Sequence, residues 1–116
     1  MKEILGWHYF LDFQVTSNKD VLSSAEKLRS IFLHFASIGK VKIIGEFFYP
    51  FPNGGVSGVI LIEESHITIH TWPEYNFVSI DIYFCDPKVD IDNMIEEIKN
   101  FFQPINLCLK FFARGF

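Results

Sequence analysis

Hydrophobic and polar residues recur along this chain with two different periods. Residues 4–15, ILGWHYFLDFQV, are aromatic and β-prone and predict a strand. From Val21 the period lengthens. Val21, Leu22, Ala25, Leu28, Ile31, Phe32, Phe35 and Ile38 recur at three- and four-residue spacing, which predicts a helix capped at Ser17 or Asn18 and closed by Gly39. Residues 41–49 predict a second strand, and PFPNGG at 50–55 a loop, since two prolines and two glycines suit no regular element. Three further strands are expected at 58–63, 66–72 and 77–84. Within them His66, Thr68 and His70 alternate against Ile67 and Ile69, and Val78, Ile80, Ile82 and Phe84 against Ser79, Asp81, Tyr83 and Cys85. A second amphipathic helix carries Ile91, Met94, Ile95, Ile98, Phe101 and Phe102 on one side. Pro104 ends it, and residues 105–113 predict a last strand. The order β-α-β-β-β-β-α-β, with hairpin-length connections in its middle, predicts an α+β fold. This is a two-layer sandwich of a mostly antiparallel sheet with two helices on one face, in a single domain, 1–116.

Composition adds a partner to that picture. Hydrophobic residues make up 49% of the chain and 14 of them are Phe, more apolar surface than one sheet-and-helix pair can hide. A second subunit would cover the remainder, on the sheet face away from the helices. The formal net charge of −4, with Lys and Arg scattered, recommends neither nucleic acid nor a membrane surface as partner. The first residues, MKEILGWHYF, do not read as a signal peptide, and no apolar run approaches the ~20 residues of a membrane helix. Cys85 and Cys108 form no CxxC pair, so reduced thiols in a cytoplasmic protein are expected.

The chemistry concentrates in GVSGVILIEESHITIHTWPEYNF, residues 55–77, where Glu-Ser-His interrupts an alternating run. GVSGV approaches the nucleophile elbow G-x-S-x-G, but Val59 stands where the last glycine belongs. His66 and His70 have the i, i+4 spacing of a helical zinc site. On a strand that spacing spans roughly 13 Å, too far for two ligands with Zn–N bonds near ~2 Å, so no metal is expected.

The stretch from Gly55 to Cys85 resembles the signature of the short, prokaryotic-type S-adenosylmethionine decarboxylase proenzymes, a pyruvoyl-dependent family. Glu-Ser-His, His-Thr-Trp-Pro-Glu and the later Cys are shared, as are an opening Leu-Gly-x-His (Leu5 to His8) and Arg114-Gly115 near the end. The resemblance implies self-cleavage between Glu64 and Ser65 into chains 1–64 and 65–116. Ser65 Oγ would attack the Glu64 carbonyl, and β-elimination from the resulting ester would leave Ser65 as a covalent pyruvoyl group. That group, the only cofactor implied, would form a Schiff base with the substrate amine and act as an electron sink.

Roles follow from the same resemblance. His70 would take the Ser65 Cα proton during processing, with Ser57 assisting. Cys85 would reprotonate the substrate carbon after carbon dioxide leaves, and a thiol of ordinary acidity is protonated at neutral pH. Glu74 would bind the ribose hydroxyls, and Phe48 and Phe51 belong to the region where the family stacks the adenine. His66 is read as structural or as help in processing, and Cys108 as a bystander. The product would be decarboxylated S-adenosylmethionine for spermidine synthesis, made by a homodimer that is (αβ)₂ after cleavage. Two departures stand out: Phe84-Cys85-Asp86 replaces the family's Thr-Cys-Gly, and Pro52-Asn53-Gly54-Gly55 carries one extra residue. A pyruvoyl-dependent arginine or ornithine decarboxylase is the alternative on this scaffold. A non-processing regulatory paralogue is the alternative of another class, which retention of Ser65, His70 and Cys85 disfavours.

Overall fold

The computed structural model describes residues 2–116. Strand β1 (Ile4–Gln14) leads through a 3₁₀ turn (Lys19–Ser23) to helix α1 (Ala25–Ile38). Strands β2 (Ile43–Pro50), β3 (Val56–Ile62), β4 (Ser65–Trp72) and β5 (Phe77–Phe84) follow, then α2 (Ile91–Phe102) and β6 (Ile105–Gly115). The six strands form one sheet in the order β2-β3-β4-β5-β1-β6, every neighbouring pair antiparallel. The expected element order and α+β class are observed.

The start of the first helix differs from the sequence reading. The first helix does not begin at Ser17 or Asn18. Asn18 has left-handed backbone and caps nothing with its side chain, whereas Ser24 accepts a hydrogen bond from the Lys27 amide at 3.1 Å. Val21 and Leu22 are buried by the preceding 3₁₀ turn instead, so they satisfy the apolar period without belonging to the helix. At the other end Gly39 closes the helix as expected, with right-handed backbone (φ −72°), and Lys40 takes the positive φ of 60°. Gly39 is needed for space: a Cβ there would lie 2.0 Å from the Met94 methyl group.

Strand alternation divides the sheet into a covered and an open face. Leu11, Phe13, Ile60, Ile67, Ile69, Val78, Ile80 and Ile82 point toward the helices and are buried with Leu28, Phe32, Phe35, Met94, Ile98 and Phe102. Phe102 sits at the centre, its ring centroid 5.4 Å from that of Phe13 and 6.4 Å from that of Phe32. Phe102→Ala is therefore expected to lose about 3–5 kcal/mol of stability, transfer and cavity together, read as a lower urea midpoint. The opposite face carries Ser57, Val59 and Leu61 of β3, His66, His70 and Trp72 of β4, and Asp12, Ser79, Asp81 and Tyr83 of β1 and β5. Phe47, Leu61 and Phe112 are 64%, 50% and 54% exposed, so the apolar surplus expected from composition lies on this uncovered face.

Candidate active site

The β2–β3 loop builds one wall of a cleft. The Phe51 amide donates to the Gly55 carbonyl at 2.7 Å and the Gly54 amide to the Phe51 carbonyl at 3.0 Å. Asn53 Oδ1 accepts from the Gly55 amide at 3.1 Å, and Gly54 adopts φ 102° to close the turn. The other wall is the end of β4 and the short 3₁₀ turn Pro73–Tyr75. Between them lies a cavity of about 260 Å³ lined by Phe51, Asn53, Ser57, His70, Trp72 and Glu74 among others. Ser57 and His70 are cross-strand partners in the β3–β4 register, and Ser57 Oγ lies 2.9 Å from His70 Nδ1. With the imidazole proton on Nε2, the hydroxyl donates to Nδ1 and fixes the ring.

A second constellation occupies the other end of β4. Ile62 pairs with Ser65, which makes Glu63 and Glu64 a two-residue hairpin turn. The Glu64 carbonyl accepts two hydrogen bonds, from the Cys85 amide and from Cys85 Sγ, both at 3.0 Å. The turn is also tied to the approach to β2, through Glu63 N–H to the Lys42 carbonyl at 2.8 Å and the Lys42 amide to Glu64 Oε1 at 3.2 Å. Ser65 opens β4 opposite Phe84 with φ 158°. Asp86, the residue that replaces glycine in the family pattern, directly follows Cys85. Its Oδ1 accepts from the Lys88 amide at 2.8 Å and closes its own turn.

One chain therefore brings the sequence-selected residues together in two groups. Ser57, His70, Glu74 and Phe51 share the cleft; Glu64, Ser65 and Cys85 share the hairpin turn. Ser65 and His70 are five residues apart on one extended strand, about 16 Å. Phe48 joins neither group. It pairs with Gly58, where a Cβ would lie 2.4 Å from its ring, and packs against the core, while Phe47 and Tyr49 face the open side. Trp72 and Asn53 line the cleft without having been singled out. Trp72 had a signal in the alternation of β4, which puts it on the face of His70; Asn53 had only its place in the extra-residue loop.

Of the remaining polar residues of the open face, Ser79 stands opposite His70 and donates to Asp12 at 2.6 Å, while others gather nearer the hairpin. His66, Tyr83 and His8 stand in one cross-strand row, and the Arg114 guanidinium lies over the Tyr83 ring at 4.8 Å. His8 Nε2 is buried without a hydrogen-bond partner in the chain. Burial lowers the His8 pKa from its ordinary value of 6.5; Asp81 opposes the shift, and Arg114 and His66 reinforce it. As pH falls the unfolded chain takes up this proton first, so His8 leaves stability intact above its unfolded value and erodes it below. His8→Gln is expected to narrow the gap between urea midpoints measured at about pH 7.5 and about pH 5. His34, on α1, pairs instead with Glu97 of α2 at 3.2 Å. Cys108 is exposed on β6.

Among the described residues no helix is long and apolar enough to cross a membrane. A family model described as S-adenosylmethionine decarboxylase matches residues 7–115. A protein from Thermococcus onnurineus (strain NA1) named S-adenosylmethionine decarboxylase proenzyme is 39% identical over 101 residues, 84% of this chain and 71% of its own. Its namesake from Thermoplasma volcanium is 35% identical over 116 residues, 99% of this chain and 88% of its own. The crystal structure of the adenosylmethionine decarboxylase from Aquifex aeolicus superposes with a TM-score of 0.87 at 28% identity, over 98% of this chain and 93% of that one.

Proposed function

Because the chain belongs to the S-adenosylmethionine decarboxylase family, we propose that it is made as a proenzyme, cuts itself between Glu64 and Ser65, and then releases carbon dioxide from S-adenosylmethionine on the cytoplasmic route to spermidine. The observation that carries this reading is the Glu64 carbonyl, held by the Cys85 N–H and S–H at 3.0 Å each and adjacent to Ser65. Two donors on one carbonyl oxygen are what an attack on its carbon requires, because negative charge develops there.

In that step the Ser65 Oγ–carbonyl carbon bond forms and the carbon–nitrogen bond breaks. The hydroxyl proton ends on the nitrogen, and an ester joins Glu64 to Ser65. Loss of the Ser65 Cα proton then expels the Glu64 carboxylate. Water finally replaces the nitrogen, which leaves as ammonia. The base for the Cα proton is His70, its ring fixed by Ser57. The ~16 Å along β4 prevents His70 from serving the Ser65 of its own chain. The exposed Phe47, Leu61 and Phe112 give a second copy a surface to cover, so a homodimer pairing open faces would bring one chain's cleft to the other's hairpin.

Ser65 fits the pyruvoyl group that the family implies: it begins β4 beside Cys85, where a newly exposed end remains held by the sheet. Once formed, the group would supply a carbonyl electron sink for the substrate's α-carbon. Cys85 Sγ would deliver the proton that replaces carbon dioxide. In the cleft, Glu74 would accept hydrogen bonds from the ribose hydroxyls, and Phe51 with Trp72 would offer the aromatic surface an adenine needs. A ribose-binding carboxylate favours a nucleoside substrate over free arginine or ornithine.

Intact mass under denaturing conditions tests the reading. Two chains, 1–64 and 65–116, are expected, the second lighter by one ammonia than hydrolysis alone predicts. Carbon dioxide release from S-adenosylmethionine, with arginine and ornithine as controls, then identifies the substrate. A chain that stays whole on long incubation would remove self-processing from the account and favour a regulatory role.

A further inference from the structure

Thr71 is the one buried polar side chain among the described residues, 5% exposed and next in the inward row after Ile67 and Ile69. It stands between His70 and Trp72, which face the cleft, so its own side chain points the other way, into the helix-side core. Valine would fill the same space with more apolar surface. The hydroxyl instead makes two short bonds: it donates to the Leu22 carbonyl at 2.7 Å and accepts from the Val56 amide at 2.9 Å. Those bonds join β4 to the 3₁₀ turn and to the first residue of β3. A group so deeply buried is tolerated only because both its lone pair and its proton are used.

The position of that clamp matters for the cleft. The β3–β4 register runs from Ile62↔Ser65 to Ser57↔His70 and stops there. The terminal pair of a ladder is where strands fray. The Thr71 hydroxyl supplies the next tie beyond it, side chain to backbone, on the residue before Ser57. Gly55 completes the approach, since a Cβ there would lie 2.9 Å from the Thr71 carbonyl oxygen. We propose that Thr71 is a positioning residue that holds Ser57 Oγ against His70 Nδ1 by pinning the Val56 amide, and so sets the geometry of proton removal. This rests on the processing role assigned above to Ser57 and His70, but its structural core can be read without cleavage.

Three readouts test it. In the wild-type protein the Val56 amide is expected to exchange with deuterium as slowly as ladder amides; exchange as fast as in the 51–55 loop would overturn the clamp. In full-length chains carrying Ser65→Ala to keep them uncut, Thr71→Val should move the His70 ring ¹⁵N resonances toward those of a free imidazole, and Thr71→Ser should not. In otherwise native chains, Thr71→Val should slow self-cleavage at least about tenfold at a temperature well below its melting point, with Thr71→Ser within about threefold of wild type. A Thr71→Val protein that only melts earlier, with unchanged His70 resonances and cleavage rate, refutes the proposal. So does an equal loss in both variants. A wild-type chain that never cuts would sink the processing role instead, while the exchange and resonance measurements still decide the clamp.

Discussion

Ser65→Ala is expected to yield a single chain of 13.5 kDa that never divides, however long it is incubated. The substitution would remove the proposed nucleophile, and no other hydroxyl adjoins the Glu64 carbonyl, whose oxygen is held by the Cys85 amide and thiol. The fold should survive, because Ser65 lies at the start of β4 and its hydroxyl makes no hydrogen bond among the described residues, and the melting temperature should stay within a few degrees of wild type. Cys85→Ala makes an informative contrast. It deletes the S–H donor but keeps the amide on the same carbonyl, so cleavage should slow by about 10²-fold without ceasing. Intact-mass time courses read both. A Ser65→Ala chain that still divides at this bond would mean an external protease cuts it, and a Cys85→Ala chain that cuts at the native rate would remove the thiol from the oxyanion site.

The second large effect concerns two variants together. Ser65→Ala and His70→Ala should each fail to cut when produced alone, since every site in such homodimers lacks one required group. Produced together, they should complement. In a mixed dimer one site holds neither Ser65 nor His70, but the other combines the native Ser65 of the His70→Ala chain with the native His70 of the Ser65→Ala chain. With random pairing, about half of the His70→Ala chains should therefore be cleaved, while every Ser65→Ala chain stays whole. Tagging the two chains with different masses makes the result a direct count. Mixed dimers present but uncut would mean that each chain completes its own site by some rearrangement. Cleavage of His70→Ala alone at the native rate would relieve His70 of the role of base.

Much of the fold was legible because its periods are clean. The alternation Val78–Phe84 and the stripe from Ile91 to Phe102 admit only one element each, and both are observed. The start of α1 was not legible. Val21 and Leu22 fit a helical stripe and the buried side of a 3₁₀ turn equally well, and the choice falls to Ser24, whose side chain reaches the Lys27 amide. Several residues that line the candidate cleft could be named from sequence, Phe48 excepted, but their layout could not. Ser65 and His70 look like neighbours within E-S-H-x-x-x-H, but a strand advances about 3.3 Å per residue and carries them to opposite ends of the sheet. Phe47 and Phe48 are adjacent and equivalent in sequence. Only the pairing of Phe48 with Gly58 sends one ring inward and the other to solvent.

The strand order gives the cut at Glu64–Ser65 an unusual mechanical character. Chain 1–64 would keep β2, β3 and β1; chain 65–116 would keep β4, β5 and β6. In the sheet these alternate as β2-β3, then β4-β5, then β1, then β6, so three of the five seams between strands join different fragments. The two pieces are interleaved like the fingers of clasped hands. Neither can leave without opening those seams and stripping α1 from α2. Maturation by such a cut would sever a covalent bond yet release nothing, and the new chain end at Ser65 would stay anchored between its original neighbours.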